Sequence, residues 1–278
     1  MTWRALSPSL CSLPLFLGSA PEHARAPFSD ALFALEADVE AAPAENDHGP
    51  VELARVASRV RAAARSGASR ADALNRTVFG ELGFVREVDD RDLRFVLPTA
   101  VLAGRRGSCV GLGTLYIALG ELLGWRVDGV MVPGHFYVRV DENGRTRNVE
   151  LLRKGEEMPD SWYRARFPAP GTASAEYGRA LTPKEVLGVV EYDVGNERRR
   201  EERFSEARRA YRFATSLFPA FAEAHASLGA TEHVMGSLDA ALESYATARK
   251  ENPGLSGVER NVELLEEERA RASNQGGP

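Results

Sequence analysis

Five residues recur in one order and at one spacing in the last third of this chain, and that recurrence constrains the fold more than any other feature. Gly195, Ala207, Tyr211, Ala214 and Pro219 return as Gly229, Ala241, Tyr245, Ala248 and Pro253, each 34 residues later. Small residues let paired helices approach closely, an aromatic fills the gap between neighbouring units, and a proline ends the second helix. The period therefore predicts stacked helical pairs, with helices near 183–198, 203–217, 221–235 and 237–250. Residues 255–272, dense in Glu and Arg around Val258, Val262 and Leu265, read as a capping helix with a polar outer face, and 273–278 as a disordered tail.

Two repeats and a cap fall short of the roughly three units such an array needs for stability on its own. The array is thus expected to bury apolar surface against whatever precedes it. Between the two lies PAPGTASAEYGRALTP, whose Pro, Gly, Ala and Ser content marks residues 168–182 as a linker.

Composition narrows the function classes. A net charge of −5, with basic residues scattered among acidic ones, gives no footprint for nucleic acid or an anionic membrane. No stretch reaches the roughly 18 uninterrupted apolar residues of a membrane span, so membrane insertion is not expected. Two cysteines, Cys11 and Cys109, exclude a disulfide framework. The five histidines, His23, His48, His135, His225 and His233, show no metal-ligand spacing, so no metal or other cofactor is implied. Residues 1–20 carry Arg4, a Leu-rich stretch and then small residues, the outline of a secretory signal, but Pro8 and Pro14 interrupt the run. Residues 1–27 read either as that signal or as a disordered N-terminus, and the compartment, cytoplasmic or secreted and periplasmic, follows from which.

From residue 28 to about 66 two helices are expected, SDALFALEADVE and VELARVASRVRAAARSG, separated by the loop AAPAENDHGP. The next segment reads as helices broken at Gly83 and around Asp89 to Asp92. From Ser108 the pattern changes. CVGLGTLYIALGELLGW places Val110, Leu112, Leu115, Leu119, Leu122 and Leu123 at helical spacing and stops at Gly124, so a buried helix begins at Cys109. RVDGVMV and HFYVRV read as strands broken at Pro133-Gly134, and a turn in DENG precedes a third strand in RTRNVELL. The class is α+β over 28–167, followed by an all-α region over 183–272, with repeat units 188–221 and 222–255.

A cysteine that opens a helix sits at the positive end of the helix dipole, which favours the nucleophilic thiolate. Such positions lower a thiol pKa from about 8.5 to roughly 3.5–7.5. Backbone N–H groups at the same place can hold an oxyanion. His135 starts a strand on which it shares a face with Tyr137 and Arg139. If DENG is a four-residue loop, His135 pairs with Glu150 and Tyr137 with Asn148. If Asn143-Gly144 alone turns, Glu150 sits diagonal to His135 on the same face. Either register puts an acid and an amide beside the imidazole, the third member of a nucleophile, base and orienter set. Trp162 and Tyr163 are expected as core or rim packing, with an aromatic wall of the cleft as the alternative, and His225 as a packing residue of the second repeat.

These stretches resemble a known family. ALNRTVFGELGF, RRGSCVGLGTLYIALGELLGWRVDGVMVPGHFYVRV, RNVELLRKG and PDSWYRARF are similar to the bacterial SirB-type transglutaminase-like proteins, which share the papain-type cysteine enzyme fold. The 34-residue period and its Gly, Ala, Tyr, Ala, Pro order resemble the tetratricopeptide repeat, which often follows the core in that family. The resemblance implies Cys109 as nucleophile, His135 as base and Glu150, or alternatively Asn148, as orienter. It further implies thiol-based acyl transfer on a peptide or glutamine amide, by hydrolysis or transamidation, and a protein or peptide as substrate or partner. The alternative is a non-catalytic scaffold that uses the repeat surface.

Overall fold

The structure, a computed structural model, describes residues 27–40, 48–87, 92–170 and 176–275. Residues 1–26 of the expected N-terminal signal, with Cys11, residues 41–47 of the AAPAENDHGP loop, residues 88–91 at the expected break, residues 171–175 of the expected linker and residues 276–278 lie outside the described residues.

Helices α1 (Phe28–Glu40), α2 (Gly49–Arg65) and α3 (Arg70–Asn75) precede a short π-helical turn, Arg76–Glu81. Where the sequence suggested only broken helices, strand β1 (Val85–Arg86) and a 3-10 turn, Leu93–Phe95, follow, then α4 (Pro98–Gly104) and strand β2 (Arg106–Gly107). β1 and β2 pair in parallel, Val85 with Arg106 and Arg86 with Gly107. Two-residue strands are too short to show a hydrophobic period, which is why composition alone hides them.

Helix α5 (Cys109–Leu123) is the centre of the domain. It is buried from Val110 to Gly120 and ends on Gly124, whose φ of 69° is left-handed. Such a helix is apolar all round because core surrounds it. An antiparallel sheet lies against it, ordered β3 (Val127–Val132), β4 (His135–Glu142), β5 (Arg145–Glu150) and β6 (Glu156–Glu157). Phe136, Val138 and Val140 face the main core, while Tyr137 packs with Val130, Val132 and Tyr163 on the opposite face. Tyr163 belongs to α6 (Asp160–Arg166).

The helical region comprises α7 (Pro183–Arg200), α8 (Phe204–Leu217), α9 (Ala222–Val234), α10 (Leu238–Glu251) and α11 (Val258–Gln275). The last helix starts later than expected and runs on to Gln275, through residues read from sequence as tail. The 34-residue correspondence has a packing counterpart. A Cβ on Gly195 would strike the ring of Tyr211, and one on Gly229 would crowd the ring of Tyr245.

The helices share a core with the preceding domain. Val186, Leu187, Val190, Phe218 and Phe221 belong to the same apolar cluster as Leu115, Met131 and Phe136. Residues 176–182 are held by backbone as well. Gly178 N–H donates to the Met131 carbonyl (2.8 Å), Leu181 N–H donates to that of Gly129 (2.8 Å), and Ala180 bridges to Val130 on the open edge of β3. Thr182 then caps α7 in a capping box with Glu185.

Candidate active site

The cysteine is positioned by its neighbours in sequence. Ser108 is the N-cap of α5 and its Oγ accepts the Gly111 N–H at 3.1 Å. The Ser108 N–H in turn donates to the Phe95 carbonyl at 2.7 Å. A side chain at Gly111 would collide with that carbonyl, so glycine is what lets the helix start come this close to the Leu93–Phe95 turn. On the other side the β1–β2 ladder fixes the Gly107 approach. The result is a half-buried Cys109 at the first position of a helix that is otherwise sunk in the core.

His135 is placed by the Pro133-Gly134 turn and is 5% exposed. In the third strand the Asn143-Gly144 turn decides the register. Glu142 pairs with Arg145, and both turn residues have positive φ (59° and 98°), the backbone a two-residue hairpin loop requires. Glu150 therefore sits diagonal to His135 rather than opposite it, and its Oε2 lies 2.9 Å from His135 Nε2. Its other oxygen accepts the Leu152 N–H at 2.8 Å. Glu150 is fully buried, and a buried carboxylate needs such partners to offset its lost hydration. Because a carboxylate only accepts, the imidazole Nε2 donates to it, which leaves Nδ1 as the accepting nitrogen of the neutral ring.

Asn148 is occupied elsewhere. Its Oδ1 accepts from Arg139 (2.8 Å), and its Nδ2 donates to Asp160 Oδ1 (2.7 Å) and the Met158 carbonyl (3.1 Å). It ties β5 to the segment leading into α6.

Aromatic rings close the back of the imidazole. Phe167 stacks on His135 with centroids 4.5 Å apart, and Tyr163 lies beyond at 6.3 Å, itself stacked on Tyr137 at 3.7 Å. Burial raises both phenols, Tyr137 to about 12 and Tyr163 well above the ordinary tyrosine value. Neither is a proton donor by ionisation near neutral pH. Phe167 is absent from the sequence reading; its four-residue spacing from Tyr163 is the signal that places both rings on one side.

Two cavities meet at the reactive residues. One, of about 470 Å³, runs from Cys109 and His135 to α7, where Tyr192, Asn196 and Arg199 form its far wall. The other, of about 330 Å³, extends towards Trp162 and Phe167. Among the described residues Cys109, Gly134 and His135 alone line both. His225 lies away from this cleft, with Nε2 2.9 Å from the Pro219 carbonyl. Among the described residues no group of three or more His, Cys, Asp or Glu side chains could hold a metal ion, and no helix is long and apolar enough to cross a membrane.

A mixed helix-and-sheet domain with a cysteine at a helix start and a histidine on the adjoining strand defines a class, that of thiol-enzyme-like folds. Residues 49–188 match the model of the Transglutaminase-like superfamily, and the chain belongs to that superfamily. It is also 34% identical over 118 residues to a UPF0162 protein of Xylella fastidiosa (strain 9a5c), across 35% of this chain and 42% of that protein. The match thus spans less than half of that relative's length.

Proposed function

We propose that the protein is a cysteine-dependent acyl-transfer enzyme of the SirB type, with Cys109 as nucleophile, His135 as base and Glu150 as orienter. The single observation that carries this is that Cys109 and His135 face the same two cavities while Glu150 holds the Nε2 of His135. That leaves Nδ1 for the thiol. In the forward step His135 takes the Cys109 proton and the sulfur attacks an amide carbon of a peptide or a glutamine side chain. The oxyanion that forms is stabilised by N–H groups at the start of α5. The C–N bond then breaks, the imidazolium returns its proton to the departing amine, and a thioester remains. Attack by water or by a second amine releases the acyl group and restores the thiol.

The cleft supports a substrate that extends to both sides of the sulfur. We assign the helices from α7 to α10 as two tetratricopeptide units capped by α11. In this reading the first unit does more than recruit a partner: its α7 face is one wall of the substrate cleft. Residues 28–167 are the catalytic domain, and 176–182 act as a docked strap rather than a free linker.

The test is alkylation by iodoacetamide at neutral pH, mapped by mass spectrometry. Cys109 is expected to react selectively and His135→Gln to suppress the reaction. A Cys109 no more reactive than a simple alkyl thiol would leave the chain as a non-catalytic scaffold.

A further inference from the structure

The two cavities that meet at Cys109 differ in charge. The larger carries Asp193 and Glu223 beside Arg199 and Arg200, so both signs are present. The smaller is lined by Arg86, Arg153 and Arg166, with Glu87 as its one acid. Glu87 is held by Arg106, and Arg153 by Glu156. Among the described residues Arg86 and Arg166 have no acidic partner. Arg166 lies over the Phe167 ring, 5.6 Å from its centroid, the same ring that stacks on His135. Arg86 is carried by the β1–β2 ladder directly opposite Gly107, two residues before the cysteine. Two guanidinium groups with no acidic partner among the described residues, each fixed to an element that also positions the reactive pair, thus flank one side of the thiol. Trp162, Phe167 and Leu152 provide apolar floor between them.

We infer that this arginine-lined lobe is a subsite for a carboxylate of the substrate, next to the amide that Cys109 attacks. Guanidinium groups bind carboxylates in a planar, directional manner, and the aromatic floor suits the methylene or backbone portion that carries the acid. The assignment rests on the acyl-transfer reading of Cys109. A carboxylate there can come from an acidic side chain beside the reacting residue or from the end of a peptide chain.

Two measurements on the full-length protein test it. The first compares Cys109 alkylation by iodoacetate and iodoacetamide at low ionic strength. The imidazolium of His135 itself attracts iodoacetate, so the diagnostic quantity is the change in the rate ratio when Arg86→Gln and Arg166→Gln are combined. A fall of roughly threefold or more, shrinking as salt is added, is expected from removing two nearby charges. A ratio that survives the double substitution belongs to the imidazolium and overturns the assignment.

The second measurement needs no reactive thiol. In Cys109→Ala protein the Trp162 indole N–H resonance is followed by NMR with N-acetylglutamate amide, N-acetylalanine and N-acetylglutamine amide. A saturable shift with N-acetylglutamate amide alone assigns an acidic side chain. A shift with N-acetylalanine alone assigns a chain terminus. In either case Arg86→Gln/Arg166→Gln should abolish it. No shift with either acid, or an equal shift with the neutral amide, overturns the carboxylate site. Absence of alkylation by both reagents would remove the acyl-transfer reading instead, and the Trp162 resonance would then decide the lobe on its own.

Discussion

His135 and Glu150 are in contact at 2.9 Å although they are not cross-strand partners: the β4–β5 ladder, which runs from Glu142–Arg145 to Val138–Val149, brings Glu150 one residue beyond its last pair, from where it reaches His135 on the diagonal. The contact is thus a product of the Asn143-Gly144 turn some distance away. Both side chains are almost wholly removed from solvent, so removing one strands the other. Glu150→Ala should lower stability by about 1–3 kcal/mol, the range for leaving a buried polar group unsatisfied, read by thermal unfolding. Glu150→Gln preserves shape and should spare stability more than it spares Cys109 reactivity.

Asn148→Ala separates the two candidate orienters. It removes bonds to Arg139, Asp160 and Met158, so its cost should fall on the anchoring of α6, at about 1 kcal/mol per lost bond. The pH dependence of Cys109 alkylation should stay that of the parent protein. A shifted profile in Asn148→Ala, with none in Glu150→Gln, would transfer the orienting role to the amide.

The helix start at Cys109, its stop at Gly124 and the alternation along β4 were legible because each follows from local chemistry: apolar residues at helical spacing, a left-handed glycine, a period of two. The hairpin left two registers open, and only the positive φ at Asn143 and Gly144 selects between them. Three parts of the site lay beyond local pattern. Phe167 meets His135 through the docking of α6, Tyr192 and Asn196 reach the cleft through the docking of α7, and Arg86 arrives through a two-residue parallel ladder. Each is a contact between segments far apart in sequence, which no periodicity within a segment encodes.

The close helix approach at the two matched glycines gives unequal predictions. A Cβ at Gly195 would come within 2.6 Å of the Tyr211 ring, but one at Gly229 stays at 3.0 Å from Tyr245. Overpacking costs typically about 1–3 kcal/mol, while Ala in a helix regains up to about 1 kcal/mol over Gly. Gly195→Ala should therefore destabilise measurably and Gly229→Ala should be near neutral in denaturant unfolding.

Burial pushes the Glu191 carboxyl on α7 up to about 8, Arg209 offsetting only part of the effect. Burial, with Glu176 nearby, also raises Glu223. A carboxyl whose folded pKa is raised keeps its proton while the unfolded chain loses its own, so stability falls as pH rises from the unfolded value near 4.5 towards the folded one. Each unit of difference is worth about 1.4 kcal/mol. The melting temperature should decline between about pH 5 and 8, and Glu191→Gln should flatten that decline.

Because Val186, Leu187, Phe218 and Phe221 lie in a core shared with the preceding domain, residues 183–275 expressed alone should be less stable than in the whole chain. Circular dichroism during urea titration reads this. An equally stable isolated fragment would show that the shared core contributes nothing to the array.

The most direct test of the account is the rate of Cys109 alkylation by iodoacetamide as a function of pH, compared with His135→Gln and with a simple alkyl thiol. Coupling of thiol and imidazole predicts that Cys109 reacts at pH values well below 8, where a free thiol of pKa about 8.5 is largely protonated, and that His135→Gln moves the profile up to that of the simple thiol. Superimposable profiles for the parent protein, the variant and the simple thiol would contradict the account, since His135 would then exert no influence on the cysteine it is proposed to activate.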